Sequence, residues 1–555
     1  MKKMKKLFAV ILSLAMVLGM SMTAFAEPQQ AQATLGGVED GEGISVKAYQ
    51  IIKYNPAGYY EEVLPNTIDK TSPTDGTKPV LSPTADNVLA LYQRLNDLEV
   101  TKDFVRPTNK GDFTCADLGV GTWMLVVSGK TEYLYNPVII SVSKTPEGDD
   151  YGHLNLTTES WFDDNKDTFV KKSIPTITKI AESADDDKNV AGVQYGDILK
   201  FTVTADIPGY ADDGRELAYS ITDTLVGLSL VKNTEYHFEA KVGDDGTVEE
   251  LLEAVNSAIV DGEESFEVNT LSDAFLRKYS GQKITIVYYA EVTSKAEINV
   301  DRLNNTASLK YSTNNGTDVK EKFDKTKHYT FGIDTAVTGW SESESSNPTG
   351  EFVKINDMGE IEFAQTPGEV IKTETLVEFL NGAEFQLHIG SPTGPLFTDK
   401  TDKTGKDTFT TAGEGNLAGR LQIVGLDDNV DYYLIETKAP SGYSINNKPV
   451  KVRINATYET DSETNKQDKL VSYEVVIGEG EGVAVTHYNY NSTTGETEFI
   501  NTPDTASNPF GFKNTQLANL PSTGGIGTTI FTIGGCAIMI IAAGLFFASR
   551  RKAAK

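Results

Sequence analysis

From Ile526 to Ser549 the chain carries no charged residue, and Arg550, Arg551 and Lys552 follow at once. At helical rise such a run spans the roughly 30 Å of a bilayer core. The cationic excess belongs on the cytoplasmic side, which places the chain before Ile526 outside the cell. The other end agrees: Lys2, Lys3, Lys5 and Lys6 precede an apolar stretch from Leu7 to Met20, and Ala24-Phe25-Ala26 supplies the A-x-A site of a secretory signal peptide. The exported part is expected to begin near Glu27. This placement limits what can brace the fold. Of two cysteines, Cys536 lies in the span and Cys115 stands alone in the exported part, so no intrachain disulfide can form there. Apolar cores, or covalent chemistry other than disulfides, must hold it.

The formal net charge is −29, and it becomes eight units more negative once the four leader lysines and Arg550, Arg551, Lys552 and Lys555 are removed. Such a surface argues against nucleic acid and anionic lipid as partners. His153, His237, His328, His388 and His487 are scattered, and the chain has no H-E-x-x-H, no C-x-x-C and no Gly-rich phosphate loop behind a strand. No metal, no cofactor and no enzymatic activity on an external substrate are expected. The acidic runs Asp163-Asp164-Asn165-Lys166-Asp167 and Asp185-Asp186-Asp187 read as solvated turns with calcium as the alternative, and neither has EF-hand spacing.

Short alternations of β-branched and aromatic residues between Gly, Asn, Asp and Pro clusters run through most of the chain, as in Ile198 to Ala205, Lys283 to Val292, Asp431 to Thr437 and Tyr473 to Gly478. This pattern predicts an all-β protein of antiparallel sandwiches. Three helical stretches interrupt it, Asp86 to Leu98, Val248 to Ile259 and Leu271 to Tyr279, and these are expected to pack on sandwich flanks. The expected division is a signal peptide at 1–26, β-sandwich domains at 27–170, 171–331 and 332–503, and a terminal segment at 504–555.

In the first domain Ile44 to Ile52 opens and Gly121 to Val127 and Tyr135 to Val142 close, with Trp123 as a core anchor. The second opens at Ile174 to Lys179 and closes at Leu303 to Tyr311. The third opens at Glu351 to Asn356 after a Ser/Glu/Gly-rich loop, Gly339 to Gly350, and is expected to close at Glu496 to Pro503.

The residues just before the span, Leu520-Pro521-Ser522-Thr523-Gly524, resemble the LPxTG sorting signal of Gram-positive surface proteins. Pro521 suits such a signal, because it fixes its own φ and keeps Leu520 extended. A lysine-bearing segment, Phe169-Val170-Lys171-Lys172-Ser173, stands between the first two domains, and Glu436-Thr437-Lys438-Ala439-Pro440-Ser441-Gly442-Tyr443 resembles the E-box of collagen-adhesin B-type domains. With these parts in this order, the whole precursor resembles a backbone pilin of Gram-positive sortase-assembled pili.

That resemblance implies tandem immunoglobulin-like domains of collagen-adhesin A and B type, crosslinked by Lys-Asn isopeptide bonds with a nearby carboxyl group assisting. Carried over, the second domain would use Lys179, Asn305 and Asp223, with Asn304 competing for Asn305 because a one-residue slip along a strand changes the face. The third would use Lys354, Asn501 and Glu436. The first is left without a bond, although Lys47 lies on an apolar strand. Chemically, burial lowers a lysine's pKa toward the neutral nucleophile and raises that of an acid, so a protonated Asp or Glu can polarise the amide and shuttle a proton as ammonia leaves.

The resemblance further implies that a sortase cleaves between Thr523 and Gly524 and joins Thr523 to a lysine of an identical subunit in a head-to-tail polymer. Family acceptors commonly sit in a Tyr-Pro-Lys-Asn context, which this chain lacks, and Lys172 is the first choice with Lys171 second. Tip and base pilins, peptidoglycan attachment and a cell-wall location after a transient membrane-held precursor are implied as well. The alternative is a singly displayed, wall-anchored adhesin.

Overall fold

The computed structural model describes residues 13–17, 30–142, 167–335, 349–517 and 527–552, apart from short internal stretches. The described residues are mostly strands, and their buried apolar side chains gather into separate cores along the chain.

In the first unit Ile44–Asn55 pairs antiparallel with Gly121–Gly129, which pairs in turn with Val138–Val142. Gly121–Gly129 is apolar without alternation because both of its faces are covered. Trp123, Leu125 and Val127 enter one core, while Met124 and Val126 enter another beside the helix Ala85–Tyr92. That helix stops earlier than the expected Asp86 to Leu98 stretch, and a 3-10 turn at Leu95–Asp97 carries the chain on so that Leu98 is still buried. Trp123 is the expected core anchor, its indole N–H donating to the Gly119 carbonyl at 2.9 Å. Ser13–Val17 lies parallel to Val138–Val142.

The second unit is a two-sheet sandwich. One sheet runs in the order Ile177–Ser183, Ile198–Asp206, Lys283–Val292 and Leu228–Val231. The other runs Ser265–Val268, Tyr219–Thr224, Asn304–Ser312 and Val319–Lys327. Strict alternation of burial along Ile198–Asp206 and Lys283–Val292 matches the period-two pattern of the sequence. The helices Glu249–Ala258 and Asp273–Lys278 bury Leu251, Ala254, Val255, Phe275 and Leu276 in the same core, and the Ser272 hydroxyl caps the second of them.

A seven-stranded sheet from Phe409–Thr410 to Glu496–Phe499 forms most of the third unit. Its opening strand, Phe352–Asn356, is not paired with that sheet. It lies parallel to a strand further on than the expected closing segment, Phe510–Asn514, whose Phe512 is buried in the core. The units are linked by main-chain pairing: Lys172–Ser173 joins Leu134–Tyr135, and the Tyr195 N–H donates to Gly425 O at 2.9 Å. Gly425 has φ +79, and a Cβ there would lie 2.2 Å from the Tyr195 ring, so this junction requires glycine.

Candidate crosslinking sites

Lys179 occupies an inward position of Ile177–Ser183, between the buried Ile177 and Ala181. The alternation that makes this a strand therefore drives an ammonium into the sandwich. It meets Asp223, from Tyr219–Thr224, with Nζ donating to Oδ1 at 2.6 Å; both side chains are 0% exposed. Tyr288 donates its hydroxyl to the other oxygen, Oδ2, at 2.8 Å. The Phe201 ring lies 4.7 Å and the Tyr288 ring 5.9 Å from Nζ. Burial pushes the Lys179 pKa down, and the neighbouring Asp223 opposes it.

Asn305 is fully buried on Asn304–Ser312, the strand that pairs with the Asp223 strand, where Asp223 faces Ala307. Its Oδ1 accepts the Val226 N–H at 3.1 Å, while its Nδ2 is buried without a hydrogen-bond partner. A main-chain donor thus polarises the amide carbonyl, and the amide nitrogen is left unheld.

In the third unit Lys354 is 0% exposed at the middle of Phe352–Asn356. Its Nζ donates to the Phe512 carbonyl at 3.1 Å, stands 3.5 Å from Glu436 Oε1 and lies 4.6 Å from the Phe512 ring. Burial lowers its pKa to about 8 against the pull of Glu436. The amide against Glu436 is that of Asn514, whose Nδ2 donates to the two carboxyl oxygens at 2.9 and 3.0 Å. Asn514 Oδ1 is buried without a partner, and Glu436 Oε2 also accepts the Asn446 N–H at 2.7 Å.

Asn501, the residue expected here, lies outside the described residues, as do Lys171, the acidic runs at 163–166 and 185–187, and the pentapeptide from Leu520 to Gly524. The side chain of Asn304 is likewise not described. Asn514 had a legible signal. Phe510, Phe512 and Asn514 alternate at strand spacing, and Asn514-Thr515 repeats the Asn-Thr step of Asn501-Thr502. What pointed away from it was its distance beyond a plausible closing strand.

Lys172 is exposed, faces Tyr135 in register and holds its ammonium 4.2 Å from the Tyr133 ring centroid. Behind the pentapeptide, the helix Gly527–Lys552 is long and apolar enough from Thr529 onward to cross a membrane.

A further acidic pair, which sequence reasoning missed, lies at the start of the Lys354 strand. Glu351 is 2% exposed, receives the Tyr488 hydroxyl and accepts the Asp334 N–H at 2.8 Å. Burial, helped by Asp334, raises its pKa to about 8, and burial raises that of Asp334 to about 6. A folded-state pKa above the unfolded value means stability that is full below the ordinary carboxylate range and lost as pH rises through the folded value. The melting temperature of the exported part is therefore expected to fall between pH 5 and pH 9, with a loss on the order of 2–4 kcal/mol in the third unit. Glu351→Gln should flatten that slope in a pH series of thermal melts, and an unchanged slope would remove Glu351 as its source.

A family model for the SpaA prealbumin-like fold domain matches residues 367–468, and one for the LPXTG cell wall anchor motif matches residues 513–555. The trypsin-resistant surface T6 protein of Streptococcus pyogenes serotype M6 is 23% identical over an alignment of 592 residues that covers 98% of this chain and 99% of the relative. Fimbrial subunit type 2 of Actinomyces naeslundii is 26% identical over 285 residues, 48% of either chain. Among solved structures, the three-domain T6 backbone pilin of serotype M6 S. pyogenes is similar over 89% of this chain and 100% of its own, at 19% identity and a TM-score of 0.46. The major pilin SpaA of Corynebacterium diphtheriae is similar over 80% and 98%, at 15% identity and a TM-score of 0.35.

Proposed function

We propose that this chain is a Gram-positive backbone pilin of the LPXTG-anchored, sortase-assembled kind, a reading supported by the SpaA-type domain, the anchor motif and the full-length T6 relative, and that its subunits are joined from Thr523 of one to Lys172 of the next and braced by Lys179–Asn305 and Lys354–Asn514 amides. It is a structural subunit of a cell-wall pilus shaft, processed by a sortase and held before that by its C-terminal helix. The observation that carries the bracing is the position of each Lys, carboxyl and Asn set. Each lysine lies on the opening strand of its unit and each asparagine on a strand at or near its close. Tension applied end to end would then run through the amide and bypass most of the sandwich.

The proposed steps need no cofactor. The neutral lysine amine attacks the side-chain carbonyl carbon of the asparagine, the acid takes the amine proton and returns one to the amide nitrogen, and ammonia leaves. Folding supplies the proximity. Val226 N–H and Asp223 serve the second unit, and Glu436 with the Phe512 carbonyl serves the third. The domain limits proposed with this reading are 27–170, 171–331 and 332–514, the last extended to include the strand that carries Asn514.

Lys172 suits the acceptor role because it is exposed at the junction of the first two units while its main chain is held by a strand pairing and its ammonium by the Tyr133 ring. The test is a cell-wall extract run under denaturing conditions. A ladder of high-mass species is expected in wild type and none in a Lys172→Ala strain. A ladder that persists would move the joint to Lys171 or another lysine, and no ladder in wild type would favour single display on the wall.

A further inference from the structure

The Lys179 strand is the edge of its sheet: among the described residues, Ile177–Ser183 pairs only with Ile198–Asp206. Its Lys179 N–H points away from that partner and is taken by the Oδ2 of Asp324, at 2.7 Å, on the final strand of the opposite sheet. Asp324 thus clips the two sheets together at the reacting residue. Its other oxygen, Oδ1, accepts the ammonium of Lys466 at 2.9 Å, and Lys466 also donates to the Lys325 carbonyl.

Lys466 belongs to the third unit, on the turn between Val450–Glu459 and Lys469–Ile477. The turn is rigid. Asp461 Oδ1 caps the N–H groups of Glu463 and Thr464 at 2.8 and 3.2 Å, and Asp461 N–H donates to the Lys466 carbonyl at 2.7 Å. It is also pinned to the second unit: Lys327 Nζ meets Asp461 Oδ2 at 2.7 Å, Lys327 N–H donates to Asp468 Oδ2 at 3.2 Å, and Lys325 pairs with Glu463 at 2.9 Å. The Lys327 and Asp461 side chains are 9% and 8% exposed, so the contact is largely sheltered.

We propose that Lys466 is a positioning residue for the Lys179–Asn305 crosslink, so that docking of the 460–468 turn of the third unit sets how fast the second unit is locked. This rests on the reading that the Lys179–Asn305 amide forms. Two effects act together. By holding Asp324, Lys466 fixes the clip that places the Lys179 main chain. By neutralising Asp324, it removes a bare carboxylate that would keep the Lys179 amine protonated.

The charged and polar groups around that amine are Asp223 from the opposite sheet, Tyr288 from the same sheet, Asp324 behind the main chain and Lys466 beyond it, with His328 edge-on to the Phe201 ring. Lys466 acts on the Lys179 pKa in the same direction as burial, and Asp324 acts against it. The consequence is an order of maturation. The second unit closes its bond only after the third has folded and docked, and a chain stalled before residue 466 stays unlocked.

The test follows the full-length chain through pulsed cell-free synthesis, with samples denatured at intervals and the joined tryptic peptides quantified by mass spectrometry. Lys466→Met is expected to slow the Lys179–Asn305 peptide roughly three- to tenfold at pH 7, with the deficit shrinking as pH is raised toward 9, since one pKa unit is a tenfold change in neutral amine. Lys466→Arg should restore the rate, and adding Asp324→Asn to Lys466→Met should recover part of it. The Lys354–Asn514 peptide reports folding of the third unit and should form at the wild-type rate throughout. A wild-type rate in Lys466→Met, or a slowing that does not depend on pH and that arginine does not rescue, would overturn the proposal. Absence of the Lys179–Asn305 peptide in wild type would overturn the crosslink reading beneath it.

Discussion

An Asn514→Ala exported chain is expected to keep the full mass of its sequence in the third unit, whereas the wild type should be lighter there by one ammonia, and Asn501→Ala should be as light as wild type. Asn514 is the amide that Glu436 holds with two hydrogen bonds, two residues along the strand from the Phe512 carbonyl that receives Lys354. The expected loss of stability is large because the bond closes most of the third unit into one loop. Chain-entropy reasoning for a crosslink of that span gives about 5 kcal/mol. For a unit of this size that is a fall of roughly 10–20 °C in melting temperature. Buried Lys354 and Glu436 would also be left as an ion pair in a dry site, which adds to the loss. Intact-mass measurement and a thermal melt of the same sample decide the matter. An ammonia still missing from the third unit of Asn514→Ala would return the bond to Asn501.

Asp223→Asn should abolish the second bond while leaving the shape of the site nearly intact. The substitute cannot take the proton of Lys179 or return one to the leaving nitrogen, so the Lys179–Asn305 amide is expected not to form on the time scale of purification. The variant also buries the Lys179 ammonium against a neutral amide, beside Tyr288 and Phe201, where wild type has a carboxylate at 2.6 Å. Breaking one side of a buried pair costs about 3–5 kcal/mol. Loss of the crosslink and loss of the charge partner therefore act together, and the second unit should melt first, below the third. Digestion with trypsin separates the two effects, because the joined Lys179–Asn305 peptide reports only the bond. Its full recovery in Asp223→Asn would remove Asp223 from the chemistry.

The strand pattern was the most legible level. Alternation located Ile198–Asp206, Lys283–Val292 and Asp431–Lys438 to within a residue or so, because half-buried strands write their geometry into period two. Gly121–Gly129 was found by its apolar run even though that run does not alternate. Lys179 and Lys354 came from the resemblance, as lysines on the opening strands of their units, and the structure places both at inward positions. Glu436 was marked by its box, while Glu351 and Asp334 look like ordinary turn acids until the fold wraps Tyr488 and the Leu421 main chain around them.

By itself, the sequence determined that no disulfide braces the part before the apolar run and that this part is all-β, since these follow from composition and local period, while the residue types for covalent bracing were implied by the resemblance. Only the tertiary structure decided which asparagine meets Glu436, which oxygen of Asp324 serves which unit, and that Lys466 of one unit stands behind Lys179 of another. Those are contacts between residues far apart in the chain, set by a parallel pairing of first and last strands and by the docking of one sandwich on the next. No local pattern encodes them, because the register of a distant pairing depends on how whole cores fit together.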